Sequence, residues 1–132
     1  MILADTSAWI EYDRASGHPT HLALAREIQT DLTAVAVTEP VLMEVLAGAR
    51  TEPQASQLRH MLISFSWLPC DPVADFEGAA LIYRECRRAG ITPRTMTDCL
   101  IAAIAVRTEA QVLTADRDFE AFASVVPLSL AH

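Results

Sequence analysis

The sequence contains no lysine: all 10 of its basic residues are arginine. That absence removes every mechanism that needs a lysine amine. Glycine is scarce too, and Gly17, Gly48, Gly78 and Gly90 stand too far apart to form a phosphate-cradling loop. The three cysteines, Cys70, Cys86 and Cys99, include no C-x-x-C pair and leave an odd number, which favours neither a disulfide framework nor a zinc site. They read as small core residues. The four histidines are scattered, with His18 and His21 expected in a loop, so nothing points to a histidine-based metal site. No apolar run approaches the roughly 20 residues a membrane helix needs. The start, MILADTS, has neither the basic residues nor the cleavage site of a secretory signal. A cytoplasmic chain with no membrane partner is expected.

What is present fits one globular domain over residues 1–132, with 52% apolar and 20% charged residues, long enough to bury a core without staples. A net charge of −7 argues against binding nucleic acid by charge alone, because phosphate affinity comes largely from cationic contacts. Any such partner needs local arginines.

Along the chain, MILAD is a short apolar run ending in an aspartate and suits a buried strand. Residues 7–12 look helical. His18-Pro19-Thr20 breaks the chain, and helical spacing resumes with Leu22, Ala25 and Ile28. LTAVAV, residues 32–37, is a second strand, and Thr38-Glu39-Pro40 opens a helix that Gly48 closes. Residues 51–65 predict another helix with Leu58, Met61, Leu62 and Phe65 on one side, followed by a short strand in SWLPC. Asp71-Pro72 starts the clearest helix, whose apolar face reads as Val73, Phe76, Ala80 and Tyr83 and which Gly90 ends. After Pro93 come an apolar helix, MTDCLIAAIAVR, a strand, AQVLTA, a short helix around DFEAFA, and a last strand, VVPLSL. Strands alternating with helices imply a mostly parallel sheet with helices on both faces.

Four carboxylates stand out on such a sheet, because ligands bind at the C-terminal ends of its strands. Asp5 and Asp116 sit where two predicted strands end, although each also suits a helix cap or local turn. Glu44 is the only charge in VLMEVLAG, which makes it costly to bury unless it has work to do. Otherwise it belongs at a surface edge or pairs with Arg50. Asp98 opens the apolar helix with a capping-box spacing from Thr95, a role compatible with staying ionised near the helix N-terminus. Were all four to converge, each pair about 4 Å apart would cost about 4 kcal/mol at an effective dielectric near 20. A cation is then required. Carboxylate oxygens without histidine or cysteine select Mg²⁺, with Mn²⁺ able to substitute, and such ions recruit substrate phosphate. Phosphodiester hydrolysis is the implied chemistry.

DTSAW at residues 5–9, Glu44 in a helix after the second strand, MTDCLIAA at 96–103 and LTADRDF at 113–119 together resemble the PIN-domain ribonucleases, specifically the VapC-type toxins of toxin–antitoxin pairs. The resemblance covers the whole chain in order. It implies a three-layer α/β/α sandwich, usually dimeric, and makes Asp5, Glu44, Asp98 and Asp116 an acidic quartet, with Asp5 and Asp98 the first Mg²⁺ ligands. Glu44 and Asp116 would hold a second ion or orient the water, with Asp118 in support. Thr6, Ser7 and Thr114 look like the hydroxyl residues that accompany these acids, and they equally suit local turn bonds. Family members cleave RNA endonucleolytically, many of them transfer RNA and some ribosomal RNA, and a small VapB-type antitoxin normally covers the groove.

Two features fit the pattern less closely. Arg84, Arg87, Arg88 and Arg94 fall within eleven residues and offset the acidic total as candidate RNA phosphate contacts, or simply form a solvated helix end. Cys99 stands where a small alanine is common. Among rivals, a phosphoacceptor receiver domain or a haloacid-dehalogenase-type phosphatase needs the missing lysine, and a dinucleotide-binding module needs the missing glycine loop. A non-catalytic RNA- or protein-binding relative, its acids serving as caps and surface charge, is the alternative that remains.

Overall fold

A computed structural model describes residues 1–131. Five strands, β1 (Ile2–Ala4), β2 (Val35–Val37), β3 (Ser66–Trp67), β4 (Gln111–Leu113) and β5 (Ser129–Leu130), alternate with helices. The helices are α1 (Thr6–Arg14), α2 (Pro19–Asp31), α3 (Glu39–Ala47), α4 (Glu52–Ile63), α5 (Ala74–Arg88), α6 (Met96–Thr108) and α7 (Asp118–Ala123). All strand pairs are parallel, in the order β3-β2-β1-β4-β5. Leu3 is in register with Ala36 on one side and Val112 on the other. These residues and Val35, Val37 and Ala4 are fully buried, so the strands read as unbroken apolar runs rather than alternating ones.

The chain steps outward from β1 through β2 to β3, then crosses back to β4 on the other side of β1. That reversal lies between the C-terminal ends of β1 and β4, where a parallel sheet opens a crevice. Right-handed crossovers place α1 to α4 on one face and α5 to α7 on the other, which gives three layers. The packing partners agree, since α1 touches α2 and α3, α3 touches α4, and α5, α6 and α7 touch one another. Helices α3 and α6 meet across the two layers.

Helix α6 is buried almost all round, with Cys99, Ile101, Ala102, Ala103, Ile104 and Ala105 in the core. Its small residues let α5 lie close: a Cβ added to Gly78 of α5 would stand 3.1 Å from the Ala103 Cβ. Gly90 takes φ +80° just past α5, a left-handed turn that glycine adopts without a steric penalty.

The sequence-based face of α5 is wrong by one position. Val73 and Phe76 are 67% and 59% exposed, whereas Asp75, Ala79, Ile82 and Cys86 are buried. An ion pair explains the rotation. Asp75 accepts from Arg107 Nε and Nη2, both at 2.8 Å, and from the Asp71 amide at 2.7 Å, while Arg107 Nη2 also donates to the Pro69 carbonyl at 2.7 Å. A carboxylate so fully hydrogen-bonded can be buried, and it turns its helix face inward. In α2, likewise, Leu22 is 51% exposed and Leu24 is buried, and His21 lies within the helix rather than in a loop. Cys86 and Cys99 pack in the core as expected, whereas Cys70 is only half-buried.

Candidate active site

Each acid reaches the crevice by a local device. Asp5 follows β1 directly, and its amide donates to the Leu113 carbonyl of β4 at 3.0 Å, extending the ladder by one rung. Its side chain caps α1, accepting from the Ala8 amide at 2.9 Å and from Ser7 Oγ at 2.7 Å, while Thr114 Oγ1 donates to the other oxygen at 2.6 Å. The carboxylate is 2% exposed, and burial pushes its pKa up against the pull of those three bonds. Ser7 Oγ also accepts from the Ala115 amide at 2.9 Å, and Thr114 Oγ1 accepts from the Asp116 amide at 2.8 Å. The hydroxyls of Ser7 and Thr114 therefore tie the ends of β1 and β4 together.

Glu44 rides on α3 and is half-buried. It does not pair with Arg50; its Oε1 accepts from Thr6 Oγ1 at 2.6 Å. Asp98 stands in the first turn of α6, where its amide donates to Thr95 Oγ1 at 3.1 Å, one half of the expected capping box. Its pKa is pushed up to about 6, first by burial and then by the charges of Asp116, Glu44 and Asp5, with the Thr95 hydrogen bond opposing them. Asp116 shapes the turn into α7, accepting from the Asp118 amide at 2.9 Å.

Asp5, Thr6, Ser7, Glu44, Asp98 and Asp116 thus line a single open cleft of about 350 Å³, with Ile10, Arg94 and Thr95 completing its wall. Thr114 acts from behind through Asp5. The closest carboxylates are Asp98, Asp116 and Asp118, each offering an oxygen within 4.8 Å of the others. Asp118, which the sequence reading placed only in support, is therefore nearer to Asp98 than its rank suggested; the D-x-D spacing of LTADRDF was the available signal. The donor set is all hard oxygen, and among the described residues no cationic side chain forms an ion pair with Asp98. Both properties fit a small divalent ion.

Of the four arginines named from sequence, Arg94 alone lines the cleft, and it is bound to the acids. Its Nη2 donates to Asp116 Oδ2 at 2.5 Å and its Nε to Asp118 Oδ2 at 3.1 Å. Arg84 projects into solvent from α5, Arg87 lies over the Tyr83 ring at 5.8 Å, and Arg88 pairs with Glu85 at 2.6 Å. A further groove beyond Asp116 is lined by Ser7, Glu11, Ala115 and Arg117, the last a residue that carried no sequence signal. Cys99, next to Asp98, faces inward, and burial pushes its thiol up to about 11, which leaves it inert.

Known proteins resemble this chain in sequence and fold. The PIN domain family matches residues 2–125. Ribonuclease VapC11 of Mycobacterium tuberculosis is 40% identical over 131 residues, which is 99% of this chain and 98% of that protein. Among solved structures, VapBC2 from Rickettsia felis bound to a promoter DNA fragment superposes with a TM-score of 0.76 at 17% identity, covering 99% of this chain and 98% of that one. VapC20 of Mycobacterium tuberculosis, described as a sarcin–ricin loop cleaving toxin, gives 0.70 at 18% identity, covering 98% and 99%. The match over nearly the full length, on a parallel sheet whose switch point carries the acids, means that the chain belongs to the PIN-domain family, among the VapC ribonucleases.

Proposed function

We propose that this protein is a Mg²⁺-dependent endoribonuclease toxin that cleaves RNA in the cleft between β1 and β4 and is neutralised by a small VapB-type antitoxin. The observation that carries the reading is the convergence of Asp5, Glu44, Asp98 and Asp116, spread over more than a hundred sequence positions, on one open cleft. Arg94 pairs with Asp116 and Asp118, but Asp5, Glu44 and Asp98 have no ion pair among the described residues, and carboxylates gathered in this way call for a further cation. The 40% identity to a named ribonuclease over nearly the full chain supports the same conclusion.

Asp5, Asp98 and Asp116 would hold the ion, with Asp118 in support, and Mn²⁺ would substitute for Mg²⁺. When bound, it supplies Lewis acidity at the scissile phosphate and lowers the pKa of water there. The chain's own part is placement. Asp5, fixed by Ser7, Thr114 and the Ala8 amide, keeps its carboxylate in one orientation. Glu44, held by Thr6, lines the same cleft and would orient the attacking water or hold a second ion. Transfer RNA is the first substrate to test and ribosomal RNA the second. The VapBC complexes among the structural neighbours support an antitoxin partner, which on this reading covers the cleft of a homodimer.

The test is incubation of the purified chain with transfer and ribosomal RNA, with Mg²⁺ and with chelator. Cleavage that disappears with chelator and in Asp98→Asn, while the variant keeps its fold, is the expected result. Cleavage unchanged by Asp98→Asn would overturn the assignment. Intact RNA under every condition would instead favour the non-catalytic relative, for which the cap bonds of Asp5 and Asp116 would be the acids' whole purpose.

A further inference from the structure

Arg94 sits against the acids in an unusual way. Its guanidinium spans Asp116 and Asp118, bonding one carboxylate through Nη2 and the other through Nε, and its amide also points to Asp118 at 3.4 Å. Those two carboxylates are members of the three-oxygen group that would receive a divalent ion. An oxygen that accepts a short bond from a guanidinium is less available to a metal, so the arginine and the ion compete for the same atoms.

Two further facts bear on that competition. The backbone on either side of Arg94 is anchored, by buried Pro93 before it and by Thr95, the N-cap of α6, after it. The side chain, by contrast, is 68% exposed, against 16% for Asp116 and 27% for Asp118. A fixed Cα with a free, water-exposed side chain lets the guanidinium leave without disturbing the fold. Exposed ion pairs are individually weak, so a divalent ion with twice the charge displaces this one at small cost. The chain has no lysine, and Arg94 is the one basic side chain among the described residues that both lines the cleft and pairs with its acids, Arg117 lying in the adjoining groove without an ion pair to them.

We propose that Arg94 is the resident counter-ion of this centre: it neutralises Asp116 and Asp118 until a divalent ion binds, yields them, and then holds a phosphate of the RNA backbone at the cleft mouth. The inference rests on the metal-dependent reading of the cleft. Its chemistry is the exchange of one set of oxygens for another, since the planar fork that spans two carboxylates also fits a phosphate. Arg94 is on this account a positioning residue, occupying the cleft before the reaction and orienting the substrate during it.

Mg²⁺ titration by calorimetry on the full chain tests the first half. Arg94→Gln should bind Mg²⁺ more tightly than the wild type, by up to about fivefold, the upper end of what an exposed ion pair is worth. The second half predicts a raised KM for RNA at saturating Mg²⁺ with kcat little changed, and partial rescue of KM by Arg94→Lys, which keeps charge without the fork. Arg26→Gln, on the exposed side of α2, removes the same charge elsewhere and should alter neither quantity. Circular dichroism confirms that each variant is folded. Equal or weaker Mg²⁺ binding by folded Arg94→Gln, in a wild type that binds Mg²⁺ and cleaves RNA, overturns this inference and leaves the proposed function standing. A wild type that neither binds Mg²⁺ nor cleaves RNA removes both.

Discussion

At the scale of single residues, Asp98 is a cleft acid whose pKa stands well above the ordinary carboxylate range. Its pKa of about 6 in the fold stands above the ordinary value of 3.8, so the folded state holds its proton more tightly than the unfolded chain. The stabilisation is complete below pH 3.8 and is lost as pH rises through 6. Thermal melts of the metal-free protein should therefore show a midpoint that falls across that window relative to Asp98→Asn, in which the group cannot ionise. Adding Mg²⁺ should flatten the difference, because the ion then offsets the charge. A metal-free profile with the same slope in both proteins would show that burial and the neighbouring charges do not raise the pKa of Asp98. Which residues carry this charge was legible in sequence: a lone acid at a strand end or on an apolar helix is conspicuous. How strongly they feel one another was not, because that depends on through-space distance and burial.

At the scale of elements, the helix pair α5 and α6 shows a local pattern overridden by a distant partner. Val73, Phe76, Ala80 and Tyr83 keep helical spacing, yet the buried face of α5 runs through Asp75 because Arg107 of α6 meets it there. Removing the partner by Arg107→Met should leave Asp75 as an unpaired buried charge and cost about 3 kcal/mol, read from urea melts. Asp75→Asn should cost less, since it removes the charge that needs pairing. Replacing both by apolar residues should recover most of the loss. Backbone conformation supplies a second case. Helices α1 and α6 end on Ala15 and Glu109 at φ +47° and +57°, where glycine would be expected. Glu109→Gly should accordingly stabilise the protein by about 0.5–1 kcal/mol, visible as a shift in urea midpoint at unchanged slope.

At the scale of the whole molecule, the proposed function asks an acidic protein to hold a polyanion. With a net charge of −7, long-range attraction to RNA is absent, and on that reading association would depend on a bound ion and on Arg94 and Arg117. Mg²⁺ at 100 times its dissociation constant should raise stability by about 2.7 kcal/mol, measurable as a higher melting temperature that chelator reverses. Asp98→Asn should lose most of that shift. The order of strands and helices, the parallel sheet, the PIN-like architecture and the positions of the four acids could all be read from the chain. Apolar periodicity, capping spacings and the chemistry of strand ends are local, and one sequence contains them. Tertiary structure alone decided that Asp118 stands with Asp98 and Asp116, that Arg94 spans two of those acids, and that Asp75 turns α5 toward Arg107. These are meetings between groups remote along the chain. Crossover packing and strand register set their distances, and electrostatic energy depends on distance in space rather than in sequence.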